Sequence, residues 1–184
     1  MLHRFPPGTG IPILAGSSFR VQLHYTTTGR PEVDRPEVAL YFATEPPERH
    51  LRLKVAANHD FVIPPGAPAH VVRRSVKFER EALIYSFRPH MHYRGRSMSY
   101  EAVYPDGSKE MLLSVPDYRF NWQTHYKLQE PKRVPAGTKI KIVAVYDNSD
   151  LNPDNPDPTA EVRWGLQSTQ EMFLAYTHYT YVDE

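Results

Sequence analysis

Eighteen prolines in 184 residues restrict this chain more than any other feature. Proline lacks a backbone N–H and fixes φ, so it ends helices and is kept out of sheet interiors. The prolines cluster in Pro6-Pro7-Gly8, Pro46-Pro47, Pro64-Pro65-Gly66 and the run Asn152-Pro153-Asp154-Asn155-Pro156-Asp157-Pro158. The segments between them are short and alternate. Phe19, Val21, Leu23 and Tyr25 share one face of an extended chain, with Arg20, Gln22 and His24 on the other. Residues 82–87 and 138–146 alternate in the same way and are rich in β-branched and aromatic side chains, which predicts strands. Pro105-Asp106-Gly107 supplies a turn between 100–104 and 110–113, which predicts a hairpin. No long stretch has helical periodicity. The expected fold is therefore all-β: an antiparallel, jelly-roll-like sandwich with proline-rich turns and little helix. The break at Ile63-Pro64-Pro65-Gly66 predicts a division into a partial sheet over residues 1–60 and a main domain over 61–184. The 152–158 run reads as a rigid, polar surface excursion.

Charge and composition remove several classes of function. The net charge is +1, and acidic and basic residues interleave. That pattern lacks the basic stripe of a nucleic-acid surface, so no nucleic-acid partner is expected. No apolar run approaches the roughly 18 residues of a membrane helix, so no membrane span is expected. The opening Met1-Leu2-His3-Arg4-Phe5 reads as neither a signal peptide nor a natural domain start, and it favours a C-terminal portion of a longer protein. Cysteine is absent, which removes disulfides, thiolate metal sites and cysteine nucleophiles together. Any transition-metal site must then use histidine, methionine and carboxylate.

The chemistry centres on Arg88-Pro89-His90-Met91-His92-Tyr93-Arg94-Gly95, which follows an apolar strand. Residues i and i+2 of a strand face the same side, so His90 and His92 can present their imidazoles to one point. Such a pair can equally be two outward polar residues. Candidates for a third ligand are His24, His59, His70, His125, His178 or a methionine, and spacing does not choose among them. A thioether beside two imidazoles would favour Cu(I) over zinc or magnesium. The usual alternative for a methionine is core filling.

Four segments, in order, carry a resemblance: Gln22-Leu23-His24-Tyr25, Val62-Ile63-Pro64-Pro65-Gly66, the His90-Met91-His92 segment, and Gln167-Ser168-Thr169-Gln170-Glu171-Met172. From about Phe19 to Tyr181 the chain resembles the copper type II, ascorbate-dependent monooxygenases. That family includes peptidylglycine α-hydroxylating monooxygenase, dopamine β-monooxygenase and bacterial relatives, and the chain reads as a bacterial relative. The resemblance implies copper as cofactor and a dioxygen-type copper held by His90, His92 and Met172. It also implies that His24 is a ligand of a second, electron-transfer copper, with residues 1–60 matching the end of that copper's domain. Arg88 and Tyr176 match substrate-assisting positions, and Leu174 replaces the family's asparagine there. No adjacent His-His pair exists to complete the second site.

The implied activity is dioxygen activation and hydroxylation of a C–H bond in a small-molecule or peptide substrate. Electrons would come from an external donor or an upstream domain. The family also implies a periplasmic or secreted location. Two alternatives are a non-catalytic copper-binding or delivery module and a β-sandwich interaction domain of a larger protein. The second would use tyrosine and tryptophan, with Phe120-Asn121-Trp122-Gln123 as the segment to watch, although Trp122 reads as core. Gln170 and Glu171 read as residues behind the ligands or facing solvent, with no assigned role. His125 is the expected substitute if the metal has an unforeseen ligand.

Overall fold

The computed structural model describes residues 4–25 and 28–183; Met1, Leu2 and His3 lie outside them. The strands are β1 (Thr9–Gly10), β2 (Arg49–His50), β3 (Arg52–Asn58), β4 (Val62–Ile63), β5 (His70–Lys77) and β6 (Ala82–His90). They continue with β7 (Gly95–Val103), β8 (Lys109–Val115), β9 (Tyr126–Val134), β10 (Lys139–Tyr146), β11 (Val162–Arg163) and β12 (Phe173–Tyr181). Among the described residues there is no helix, and so none long and apolar enough to cross a membrane.

Two four-stranded antiparallel sheets form the sandwich, one ordered β5-β10-β7-β8 and the other β3-β12-β6-β9. Alternation places the core between them. Ile140, Ile142, Ala144 and Tyr146 of β10 face Phe87, Phe173 and Ala175 of the opposite sheet side, all buried in one cluster. The expected 105–107 hairpin forms between β7 and β8. Asp106 accepts hydrogen bonds from the Ser108 backbone N–H at 2.9 Å and its hydroxyl at 2.6 Å, and Gly107 supplies the positive φ of 87°.

One irregularity in β6 decides what faces outward. On the β12 side, Tyr179 pairs with Ile84 and His178 with Ser86, so Tyr85 is an extra residue. Before it, Ala82 and Ile84 point inward; after it, Phe87, Pro89 and Met91 do. A bulge of this kind swaps the faces of all that follows. Arg88 and His90 are thereby turned to the outer face. Pro89 is tolerated in an inner strand because the β9 ladder ends at Phe87–Tyr126, leaving Pro89 paired only to Ala175.

The N-terminal part departs from the sequence expectation. Among the described residues between 11 and 48 there is no strand. Phe19, Val21, Leu23 and Tyr25, expected on a strand, are 62%, 57%, 46% and 65% exposed. Alternation makes a strand only where a neighbour accepts its ladder and a surface covers its apolar face, and neither is present for this segment among the described residues. The break at 63–66 also does not separate two sheets: β3, before it, pairs along its length with β12, from Asn58–Phe173 to Arg52–Tyr179.

Candidate metal centre

His90 closes β6, and the chain turns immediately after it. His92 therefore lies off the strand, in a tight turn where the Gly95 N–H bonds the His92 carbonyl at 3.1 Å. The two imidazoles still meet: their ring centroids are 5.3 Å apart, with the planes at 90°. What brings them together is the turn and its supports, rather than strand alternation alone.

The supports are buried. The Tyr118 hydroxyl donates to the Met91 carbonyl at 2.7 Å and accepts from the Met91 N–H at 3.0 Å, clamping the residue between the histidines. Gly95 lets this packing close, since a Cβ there would lie 2.6 Å from Met91 Cβ and 3.0 Å from Tyr118. The Glu171 carboxylate, fully buried, accepts from the backbone N–H of His92 at 2.8 Å, of Arg94 at 2.6 Å and of Met172 at 3.2 Å. One side chain thus fixes the His-x-His turn to the approach of β12. Burial pushes its carboxyl up to about 7, against the pull of those donors and the nearby Arg94 guanidinium. The Met172 carbonyl accepts from the Tyr146 hydroxyl at 2.8 Å.

Arg94 extends the framework. Its buried guanidinium donates to Asn148 Oδ1 at 2.7 Å, the Thr169 carbonyl at 2.7 Å and the Asp157 carbonyl at 3.2 Å. Asn155 also donates to Asn148 Oδ1, at 3.1 Å. The 152–158 loop, expected as a surface excursion, is therefore tied inward to the residues beneath the histidines.

Hydrogen bonds set the state of both imidazoles. The Gln123 amide N–H donates to the Phe120 carbonyl at 2.9 Å, which leaves Oε1 facing His90 Nδ1 at 2.5 Å. An amide oxygen only accepts, so His90 carries its proton on Nδ1. His92 Nδ1 lies 3.1 Å from the Gln170 carbonyl, which imposes the same tautomer. Both Nε2 atoms then hold lone pairs. Burial lowers the pKa of both rings, and His24 is near enough for its charge to add to the effect. Neutral imidazoles with free Nε2 atoms are the form that binds a metal.

The other expected residues are distributed unevenly. Arg88 and Tyr176 are directly paired across β6 and β12, and the guanidinium lies 5.5 Å from the tyrosine ring centroid. Arg88 Nε is buried and meets no hydrogen-bond partner among the described residues. Leu174 pairs with His90. His24 does not complete a cluster: among the described residues no three His, Cys, Asp or Glu side chains converge on a metal position. His125 instead stacks near His178, with centroids 5.3 Å apart. Trp122, expected in the core, is 73% exposed. Its neighbour Phe120 packs at right angles to His92, with centroids 5.8 Å apart. Gln123, Tyr118 and Tyr146 are supports that the sequence reading does not name, and Glu171 takes the first of its two readings, behind the histidines rather than in solvent. The one signal available was an acidic residue, Glu171, leading directly into an apolar strand.

Residues 51–183 match the copper type II ascorbate-dependent monooxygenase, C-terminal domain. The chain belongs to that family. It is a copper-dependent family, and the matched region begins one residue before β3 and runs through β12, so it takes in both sheets of the sandwich. No curated protein matches the chain. The copper monooxygenase family accounts for the cofactor class, and the two neighbouring imidazoles, with no thiolate in the chain, are donors that suit copper.

Proposed function

We propose that His90 Nε2, His92 Nε2 and the Met172 thioether hold one copper ion, and that the domain hydroxylates a C–H bond of its substrate. The observation that carries this reading is the shared support: Glu171 bonds the backbones of His92 and Met172, while acceptors at both Nδ1 atoms favour the tautomer with a lone pair on each Nε2. Copper bound there supplies dioxygen reduction and hydroxylation, with ascorbate as the reductant that the family implies.

The chain's own residues do the positioning. Gln123 and the Gln170 carbonyl hold the protons at Nδ1 and fix the ring orientations. Phe120 packs at right angles to the His92 ring and restricts how it can turn. Arg88, with an unused buried N–H over Tyr176, orients an anionic group of the substrate. Exposed Phe19, Val21, Leu23 and Tyr25 support a docking role for residues 11–48, toward the upstream domain or external donor that delivers electrons.

Anaerobic Cu(I) titration tests the reading. It should give one tight equivalent that is lost in His92→Ala, followed by ascorbate-driven oxygen uptake coupled to substrate. Unchanged copper affinity in His92→Ala would remove the ligand assignment. Tight binding without substrate-coupled oxygen uptake would favour a copper-delivery module.

A further inference from the structure

A cavity of about 480 Å³ opens on the outer face of the β3-β12-β6-β9 sheet, toward the end of β6 away from His90. One wall is the N-terminal segment, held in place by backbone bonds from the Thr9 N–H to Pro6, the Arg49 N–H to Gly8 and the Leu51 N–H to Gly10. Phe5, Leu51, Leu83 and Leu128 give it an apolar lining. Its formal charges are all of one sign: Arg4, Arg49 and Lys127 line it, and no Asp or Glu among the described residues does. Glu48 lies 3.8 Å from Arg49 but is 75% exposed and outside the lining, so it neutralises little of this field. The floor is polar, with Ser86 Oγ 3.1 Å from His178 Nδ1.

We infer that this cavity binds an amphipathic monocarboxylate, a molecule with an unbranched apolar body and one anionic end. The volume falls within the roughly 300–1,000 Å³ of small-molecule sites. An apolar lining buries the body, and a cationic group without lining acids selects the charge of the head. Burial of the tail alone would not distinguish an acid from an alcohol; Arg4, Arg49 and Lys127 do. The inference does not depend on copper at His90 and His92: His90 is about 13 Å beyond Ser86 along β6, and His92 follows it in the turn after that strand.

Calorimetric titration of the whole chain with dodecanoate, below its micelle-forming concentration, tests this directly. Dodecanol and dodecyltrimethylammonium are the matched neutral and cationic probes. Dodecanoate should bind at one site, about tenfold tighter than either probe. The double variant Arg49→Gln, Lys127→Gln should lose about that tenfold preference while still binding dodecanol, which also shows that it is folded. His92→Ala should bind dodecanoate as the unaltered chain does. No saturable binding of dodecanoate would overturn the proposal, as would equal affinity for the three head groups. A folded double variant with undiminished preference, or loss of binding in His92→Ala, would overturn the assignment to this cavity.

Discussion

The carboxylate of Glu171 accepts the backbone N–H of His92 at 2.8 Å, across 79 residues of sequence. The same group bonds the N–H of Arg94 and of Met172. Removing it leaves three buried donors to share whatever water enters, and each unsatisfied group costs about 1–3 kcal/mol. Glu171→Ala should therefore lower unfolding free energy by about 3 kcal/mol or more in urea. Glu171→Gln keeps one accepting oxygen but turns an amide toward a donor, so its loss should be smaller. A Glu171→Ala protein within about 0.5 kcal/mol of the unaltered chain would contradict this role.

Gln123 acts on one ring atom. Its oxygen holds the proton of His90 on Nδ1, and its own amide is fixed by Phe120. Gln123→Leu should free the tautomer and ring of His90, weakening Cu(I) binding by about 10–100-fold. Stability should change little, because the side chain is only half-buried. Competition titration gives the affinity, and the ¹⁵N shifts of His90 report the tautomer. Unchanged affinity with a changed tautomer would separate the hydrogen bond from metal binding.

Gly95 is required by distance rather than by backbone angle. A methyl group there would meet Met91 Cβ at 2.6 Å and Tyr118 at 3.0 Å, and both neighbours are buried. Gly95→Ala should destabilise the fold by about 1–3 kcal/mol, read as a drop in thermal midpoint. The near-UV signal of Tyr118 should change with it, since the ring has to move.

The fold was legible where local chemistry and the tertiary neighbours agree. Residues 138–146 alternate and became β10, a strand with a partner on each side. Asp106 and Gly107 have turn chemistry and made the expected turn. Residues 19–25 alternate as cleanly but remain exposed, because pairing is a property of the neighbour and not of the segment. At the candidate site, His90 and His92 came from their spacing and Arg88 and Tyr176 from the family resemblance, and they lie in two neighbouring pairs. The bonds that the supports make could not be read. Tyr85 becomes a bulge only because β12 offers no partner for it, and Glu171 finds its donors only once β6 and β12 are paired.

Met172 can be tested against the common reading of a buried methionine as core filler. It is buried, its carbonyl is held by Tyr146 and its N–H by Glu171, so the backbone would stay in place whatever the side chain. Leucine has nearly the volume of methionine and no sulfur. Such volume-conserving exchanges usually cost less than about 1.5 kcal/mol. Met172→Leu should therefore unfold close to the unaltered chain, whereas Met172→Ala should lose about 2–5 kcal/mol. If the thioether is a ligand, both variants should bind Cu(I) more weakly, and the leucine variant should do so without loss of stability. Sulfur ligation favours the reduced ion. Cu(I) affinity should then fall more than Cu(II) affinity, which raises the tendency of the bound ion to be oxidised. Cu(I) and Cu(II) titrations of Met172→Leu decide the matter: equal affinities to the unaltered chain would return Met172 to the core and leave the two histidines without a third donor.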